Sequence, residues 1–322
     1  MARIVVAGLI NYETTLRVDG FPLDYAPVRY PFFGVRGNAA GVGLNISAAL
    51  TALGDEVRLL SLVGRDEAGR MALGALERAG IDRGAVRADL EQTCQSVILY
   101  DRDGRRAIFT DLKDIQERAY PPELFDQAAT GCELAVICNI NFARPLLARA
   151  AALGLPIATD VHALHDPDDA YNRDYMAAAQ VLFLSHERLP CPPKEFVAEL
   201  QRRYGTPVVV VGLGAEGALL ALRGAGTMLR VPASTPRPVA STVGAGDALF
   251  SAFVSGYAAG LAPEAALRRA VVFAGYKIGA VGGAEGFVGC AELDRLVGAG
   301  GLEAGECTPA ADSSVSAKDP LW

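Results

Sequence analysis

One feature restricts this chain more than any other: short apolar runs alternate with segments of helical spacing. Residues 3–8, 57–63, 135–139, 156–160, 181–184 and 207–212 are short, apolar and rich in β-branched side chains. Such runs suit strands buried on both faces. Between them, residues 45–53, 68–79 and 145–153 read as helices, the first two followed by Gly54 and Gly80. Glycine just past a periodic run is a helix stop. The alternation predicts an α/β fold, with a mostly parallel central sheet covered by helices on both faces.

Three stretches break the pattern. Residues 21–33 combine aromatics with Pro22, Pro27 and Pro31; they are too aromatic for a plain loop and too proline-rich for a central strand. A flap over a pocket explains them, and so does a subunit interface. Residues 93–100 and 106–110 form a hairpin around Asp103-Gly104, a strong turn pair. Gly212, Gly214 and Gly217 match the letters of a dinucleotide fingerprint, but residues 218–222 read as a strand where that motif needs a helix. The turn is therefore read as a hairpin whose glycines could admit an adenine ring.

Residues 241–248, Ser-Thr-Val-Gly-Ala-Gly-Asp-Ala, open an apolar helical run in which Leu249, Phe253 and Tyr257 recur every fourth residue. A helix start presents unpaired amides and the positive end of the dipole. Small residues there let an anion approach the backbone. Asp247 adds a carboxylate to that anion site. Beside phosphate a carboxylate is repulsive unless it handles a proton or a cation. The pattern points to phosphoryl transfer, with Asp247 taking a proton from an attacking hydroxyl. The plainer alternative is a glycine turn with aspartate as helix cap.

Asn11 and Glu13 follow the first strand run directly. Ligands in open α/β sheets bind beyond the carboxyl ends of strands, which makes both candidates for substrate hydroxyls; a surface turn is the alternative. A formal net charge of −7 over 322 residues argues against nonspecific nucleic-acid or anionic-membrane binding. No signal-peptide core or membrane-length apolar run is present. The six scattered cysteines lack CxxC spacing and read as free or buried thiols of a reducing cytoplasm. Residues 281–286 read as flexible, and residues 303–322 as a disordered tail.

Two separated stretches resemble the ribokinase/PfkB family of carbohydrate and nucleoside kinases. One is Ala40-Gly41-Val42-Gly43-Leu44-Asn45-Ile46-Ser47, with Gly54 and Gly64 at the family's spacing; the other is Ser241-Thr242-Val243-Gly244-Ala245-Gly246-Asp247. The resemblance implies one ribokinase-like domain over residues 1–302, with lid segments at about 12–37 and 92–113. It implies transfer of the ATP γ-phosphoryl group to a hydroxyl of a small sugar or sugar-like molecule, with Mg2+, and admits a monovalent cation as activator. A nucleoside acceptor, stacked by Tyr30, Phe32 or Phe33, is the runner-up. A sugar phosphate or a non-catalytic sensor ranks lower.

By position in the motifs, Asp247 resembles the catalytic base, and the amides of Gly244, Ala245 and Gly246 an anion hole. Asn11, Glu13, Gly41 and Asn45 match substrate-contacting positions. Leu213, Gly214 and Gly217 match the nucleotide turn, and Thr242 lies in the nucleotide-contacting motif. Glu187 stands where a magnesium-associated glutamate falls if Leu184 takes the preceding Asn place. Glu13 replaces the usual Asp, Val42 the lysine of ribokinases, and Ser241 the first Asp of the late motif. His162, His165 and His186 read as loop or strand-end residues. A homodimer through the lid is compatible with the apolar flap.

Overall fold

A computed structural model describes residues 1–300 and 305–307, apart from Asp103 and Thr227. In chain order the strands are β1 (Arg3–Ala7), β2 (Asn11–Arg17), β3 (Val35–Ala40), β4 (Glu56–Gly64), β5 (Val86–Leu90), β6 (Gln95–Tyr100), β7 (Arg106–Asp111), β8 (Leu134–Ile137), β9 (Ile157–Ala163), β10 (Val181–Ser185), β11 (Val208–Gly212), β12 (Ala218–Leu222), β13 (Met228–Val231) and β14 (Gly305–Cys307). The helices are α1 (Val42–Ala52), α2 (Glu67–Arg78), α3 (Pro122–Ala129), α4 (Pro145–Ala152), α5 (Arg173–Ala178), α6 (Pro193–Tyr204), α7 (Ala245–Ala258), α8 (Pro263–Lys277) and α9 (Cys290–Gly300).

Ten strands form the large sheet, in the order β14-β13-β12-β11-β10-β9-β8-β1-β4-β5. From β5 to β11 every neighbour is parallel; β12, β13 and β14 add antiparallel edges. The expected hairpin at residues 208–222 is present, which is why its glycines open no helix. β1 shows why the strand runs are apolar throughout. Ile4 and Val6 enter the core on one face, with α1, α2, α7 and α8. Val5 and Ala7 enter the core on the other, with α3 to α6. Both faces are dry, so period-two alternation disappears from the sequence.

The chain winds from β1 outwards through β4 to β5, then returns to β8 on the other side of β1. That reversal opens a crevice beyond the end of β1. There β2 leaves the large sheet and builds a separate four-stranded one, β3-β2-β6-β7. It joins the two expected lid segments. β2 pairs antiparallel with β3 and parallel with β6, while β6 and β7 form the expected hairpin. Asp103, in the turn of that hairpin, lies outside the described residues.

Two expectations shift. Residues 281–286 are packed rather than loose: a Cβ built on Gly283 would meet the Asn45 amide at 2.9 Å. Within the expected tail, residues 305–307 pair with β13, and the rest lies outside the described residues. No described helix is long and apolar enough to cross a membrane.

Candidate active site

The helix start at α7 is fixed from both sides. Behind it, Phe250 and Phe253 meet the Phe183 ring of β10 edge-on at centroid distances of 5.0 and 5.2 Å. Each such pair adds about 0.5–1.5 kcal/mol beyond area burial. In front, Gly244 has φ 74°, and a Cβ there would lie 2.8 Å from the Gly283 carbonyl oxygen. Only glycine fits both the left-handed backbone and that close approach. The Ala245 amide turns back onto the Thr242 carbonyl at 3.2 Å. Among the described residues, the amides of Gly244, Gly246 and Asp247 meet no acceptor. The three amides expected to form an anion hole thus lie at a helix start, where that of Ala245 is already engaged and those of Gly244 and Gly246 are open.

α1 packs against α7, and this brings the two sequence motifs together. Gly41, at φ 105°, starts α1; a Cβ there would meet the Leu9 carbonyl oxygen at 2.5 Å. Asn45, in the first turn, donates from Nδ2 to Asp247 Oδ2 at 2.7 Å across 202 residues of chain. Burial pushes the half-buried Asp247 carboxyl above its ordinary value, and Asp160 adds to the rise. The Asn45 hydrogen bond, His162 and Lys277 pull the other way. A carboxyl held up in this way is closer in affinity to the proton it would accept near neutral pH.

The small sheet supplies the opposite wall. Asn11, Glu13 and Thr15 alternate inwards along β2 and are buried. Asn11 donates to Ser96 Oγ at 2.6 Å. Ser96 stands opposite Glu13 in the β2–β6 register. Glu13 is only 6% exposed. Burial pushes its carboxyl up, and the Asp247 charge pushes it further, against the opposing pull of Lys277. Asn11 Oδ1, Glu13 Oε1 and Asn45 Oδ1 have no hydrogen-bond partner. Buried acceptors left without donors are costly. Two of them lie on residues coupled to Asp247, Asn45 by its hydrogen bond and Glu13 by its charge, and the third lies two residues before Glu13 on the same face of β2.

The residues assigned to the nucleotide lie in two places. Leu213 is a core residue, and its amide and the Gly217 carbonyl close the turn at 2.8 Å. Gly214 lies on the same turn, exposed. His186, read above as a strand-end residue, has its Nδ1 2.9 Å from the Gly212 carbonyl oxygen and braces that turn. Thr242 and Glu187 meet through Arg106 of β7. Arg106 donates to Thr242 Oγ1 at 3.2 Å and lies 3.8 Å from the Glu187 carboxylate. Arg106 was not foreseen, because nothing local marks a strand arginine that reaches a motif 136 residues away.

Lys277 was also missed. It is fully buried, and its ammonium donates to the Val243 carbonyl just ahead of Gly244. A readable signal existed: a lysine placed four residues after Phe273, on the buried face of α8.

The family model of the pfkB carbohydrate kinases matches residues 1–287. An ATP-dependent ribose-1-phosphate kinase of Halopiger xanaduensis is 29% identical over 79% of this chain and 84% of its own. An acarbose 7(IV)-phosphotransferase of an Actinoplanes species is 26% identical over 85% and 91%. Among solved structures, a microbiome-derived acarbose kinase superposes with a TM-score of 0.83 at 27% identity, covering 92% of this chain and 99% of that one. With both motifs meeting at one crevice and the family model spanning nearly all the fold, the chain belongs to the pfkB family of carbohydrate kinases.

Proposed function

We propose that the protein transfers the γ-phosphoryl group of ATP to a hydroxyl of a neutral sugar or sugar-like polyol, with Asp247 as general base. The observation that carries this reading is the set of orphaned buried acceptors, Asn11 Oδ1, Glu13 Oε1 and Asn45 Oδ1, gathered around a carboxylate at a helix start. Acceptors without donors select a ligand that donates, and neutral hydroxyls donate. A phosphate would be repelled by Glu13 at this wall.

In the proposed step the acceptor hydroxyl gives its proton to the Asp247 carboxylate, and its oxygen bonds to the γ-phosphorus. The bond from that phosphorus to the β,γ-bridging oxygen breaks, and ADP leaves. The amides of Gly244 and Gly246 face the charge that builds on the transferred group. Arg106, reaching from the small sheet to Thr242 and Glu187, adds a cation on the same side and ties lid position to phosphate binding. The turn at Leu213, Gly214 and Gly217 is assigned to the nucleotide.

The donor set fits a magnesium ion that arrives with the nucleotide. Among the described residues no group of three or more His, Cys, Asp or Glu side chains could hold a resident metal. Glu187, 62% exposed and facing Arg106 with one oxygen, keeps carboxylate lone pairs that would accept from metal-bound water. Bound magnesium supplies neutralisation of phosphate charge.

A second reading, a nucleoside acceptor, rests on the flap: Tyr30 and Phe32 stack at 6.5 Å and stand exposed with Phe33. We also propose a homodimer through the small sheet, where Val97 and Phe109 pair across β6 and β7 and are exposed. Sedimentation measures that state. The reaction is tested by ADP release with Mg-ATP over a panel of sugars, sugar phosphates and nucleosides, in separate potassium and sodium buffers. Saturable turnover on neutral sugars supports the reading; turnover on nucleosides alone, or on phosphorylated sugars alone, overturns it.

A further inference from the structure

Lys277 is the one described lysine whose side chain is fully inside the protein. An ammonium is rarely buried unless it is paired. Its one directed bond goes to the carbonyl of Val243, the residue before the left-handed Gly244. It therefore holds the peptide that sets the direction of the Gly244–Gly246 amides. Its charge also reaches both carboxylates of the crevice, Asp247 from α7 and Glu13 from β2.

We infer that Lys277 is a positioning residue for phosphoryl transfer: its ammonium tethers the Val243 carbonyl from beneath, fixes the anion-binding turn, and balances the paired negative charges of Asp247 and Glu13. This rests on the kinase reading above. The lysine also places a cation within electrostatic reach of both carboxylates.

The tether depends on a proton. Burial pulls the Lys277 ammonium down to about 8, against the opposing pull of Asp247, Glu13 and Glu285, while Arg237 adds to the fall. Those four groups come from α7, β2, the 281–286 segment and the stretch before the late motif. All but Arg237 favour the charged form, so the charge-assisted tether holds at neutral pH and weakens to that of a neutral amine as pH rises through that range.

The test compares wild type, Lys277→Met and Lys277→Ala with Mg-ATP and the preferred acceptor, from pH 6 to 9.5. Turnover by wild type decides the kinase reading first, and its absence overturns both. Given turnover, Lys277→Met should lose about 10²-fold in kcat, the scale of a misplaced catalytic group, with acceptor KM within a few-fold. Its alkaline limb should disappear. Added methylammonium should restore part of kcat to Lys277→Ala, which a purely structural lysine would not allow. Wild-type-like kcat in Lys277→Met, or an unchanged alkaline limb in it, sinks the inference. Should neither variant fold, the wild type decides alone: kcat falling above about pH 8 supports the tether, and a flat profile to pH 9.5 rejects it.

Discussion

The two walls of the crevice are built from different materials. The α7 wall presents backbone: amides at a helix start, a left-handed glycine, and one carboxylate held by Asn45. The β2 wall presents side chains: Asn11, Glu13 and Thr15 spaced two apart on one buried face. A backbone wall is indifferent to which alcohol arrives and suits a group common to all reactions, a phosphoryl being transferred. A side-chain wall can change one residue at a time and suits the part that differs between substrates. Under the proposed function, the first wall carries the chemistry and the second the selection.

That assignment can be broken from either side. Apart from the base itself, the largest loss is expected from Gly244→Ala. Its φ of 74° and the Gly283 oxygen 2.8 Å from any Cβ force the turn to move. Turnover should fall by about 10²-fold with little change in acceptor KM; a KM effect alone would place selection on this wall. Next comes Glu13→Gln, which weakens the bond proposed from an acceptor hydroxyl to this carboxylate, worth about 1.5–3 kcal/mol when charge-assisted. Acceptor KM or kcat/KM should worsen by roughly 10- to 100-fold, with ATP KM unchanged. Arg106→Ala should raise ATP KM by about three- to ten-fold, the scale of one partly exposed charged contact; an acceptor effect of equal size would put Arg106 on the other wall.

The smallest effect concerns stability. Burial raises Glu13 above its ordinary 4.5, so the folded state favours its protonated form. The stability this carries is present below 4.5 and lost as pH rises through the raised value. Glu13→Gln should therefore melt a few degrees above wild type at neutral pH, the effect of about 1 kcal/mol. The gap should close as pH falls below 4.5. A lower melting temperature at pH 7 would show that the Glu13 charge stabilises the fold.

The same contrast explains what was legible in the sequence. Backbone devices need glycine, and glycine at fixed spacing can be read, so both helix starts and the α/β frame were visible. Asn11 and Glu13 could be placed beyond a strand end, but not on the inner face of a second sheet. That sheet is closed by β3, whose Val-Arg-Gly-Asn-Ala-Ala has no strand pattern of its own and pairs because β2 runs beside it. The 281–286 segment looked loose by composition, yet its Gly283 is what lets it approach Asn45 and Gly244. Arg106 and Lys277 act over 136 and 34 residues of separation; no local rule marks them, beyond a charge on the apolar face of α8.

The central claim is most directly tested by following labelled γ-phosphate from ATP to the acceptor with Asp247→Asn, alongside its thermal melting. The replacement keeps an acceptor oxygen for Asn45 and removes a carboxylate that burial disfavours. A general base at this position predicts a fold as stable as wild type or more so, and transfer slower by about 10²- to 10⁴-fold. Transfer at the wild-type rate by a well-folded Asp247→Asn protein would contradict it.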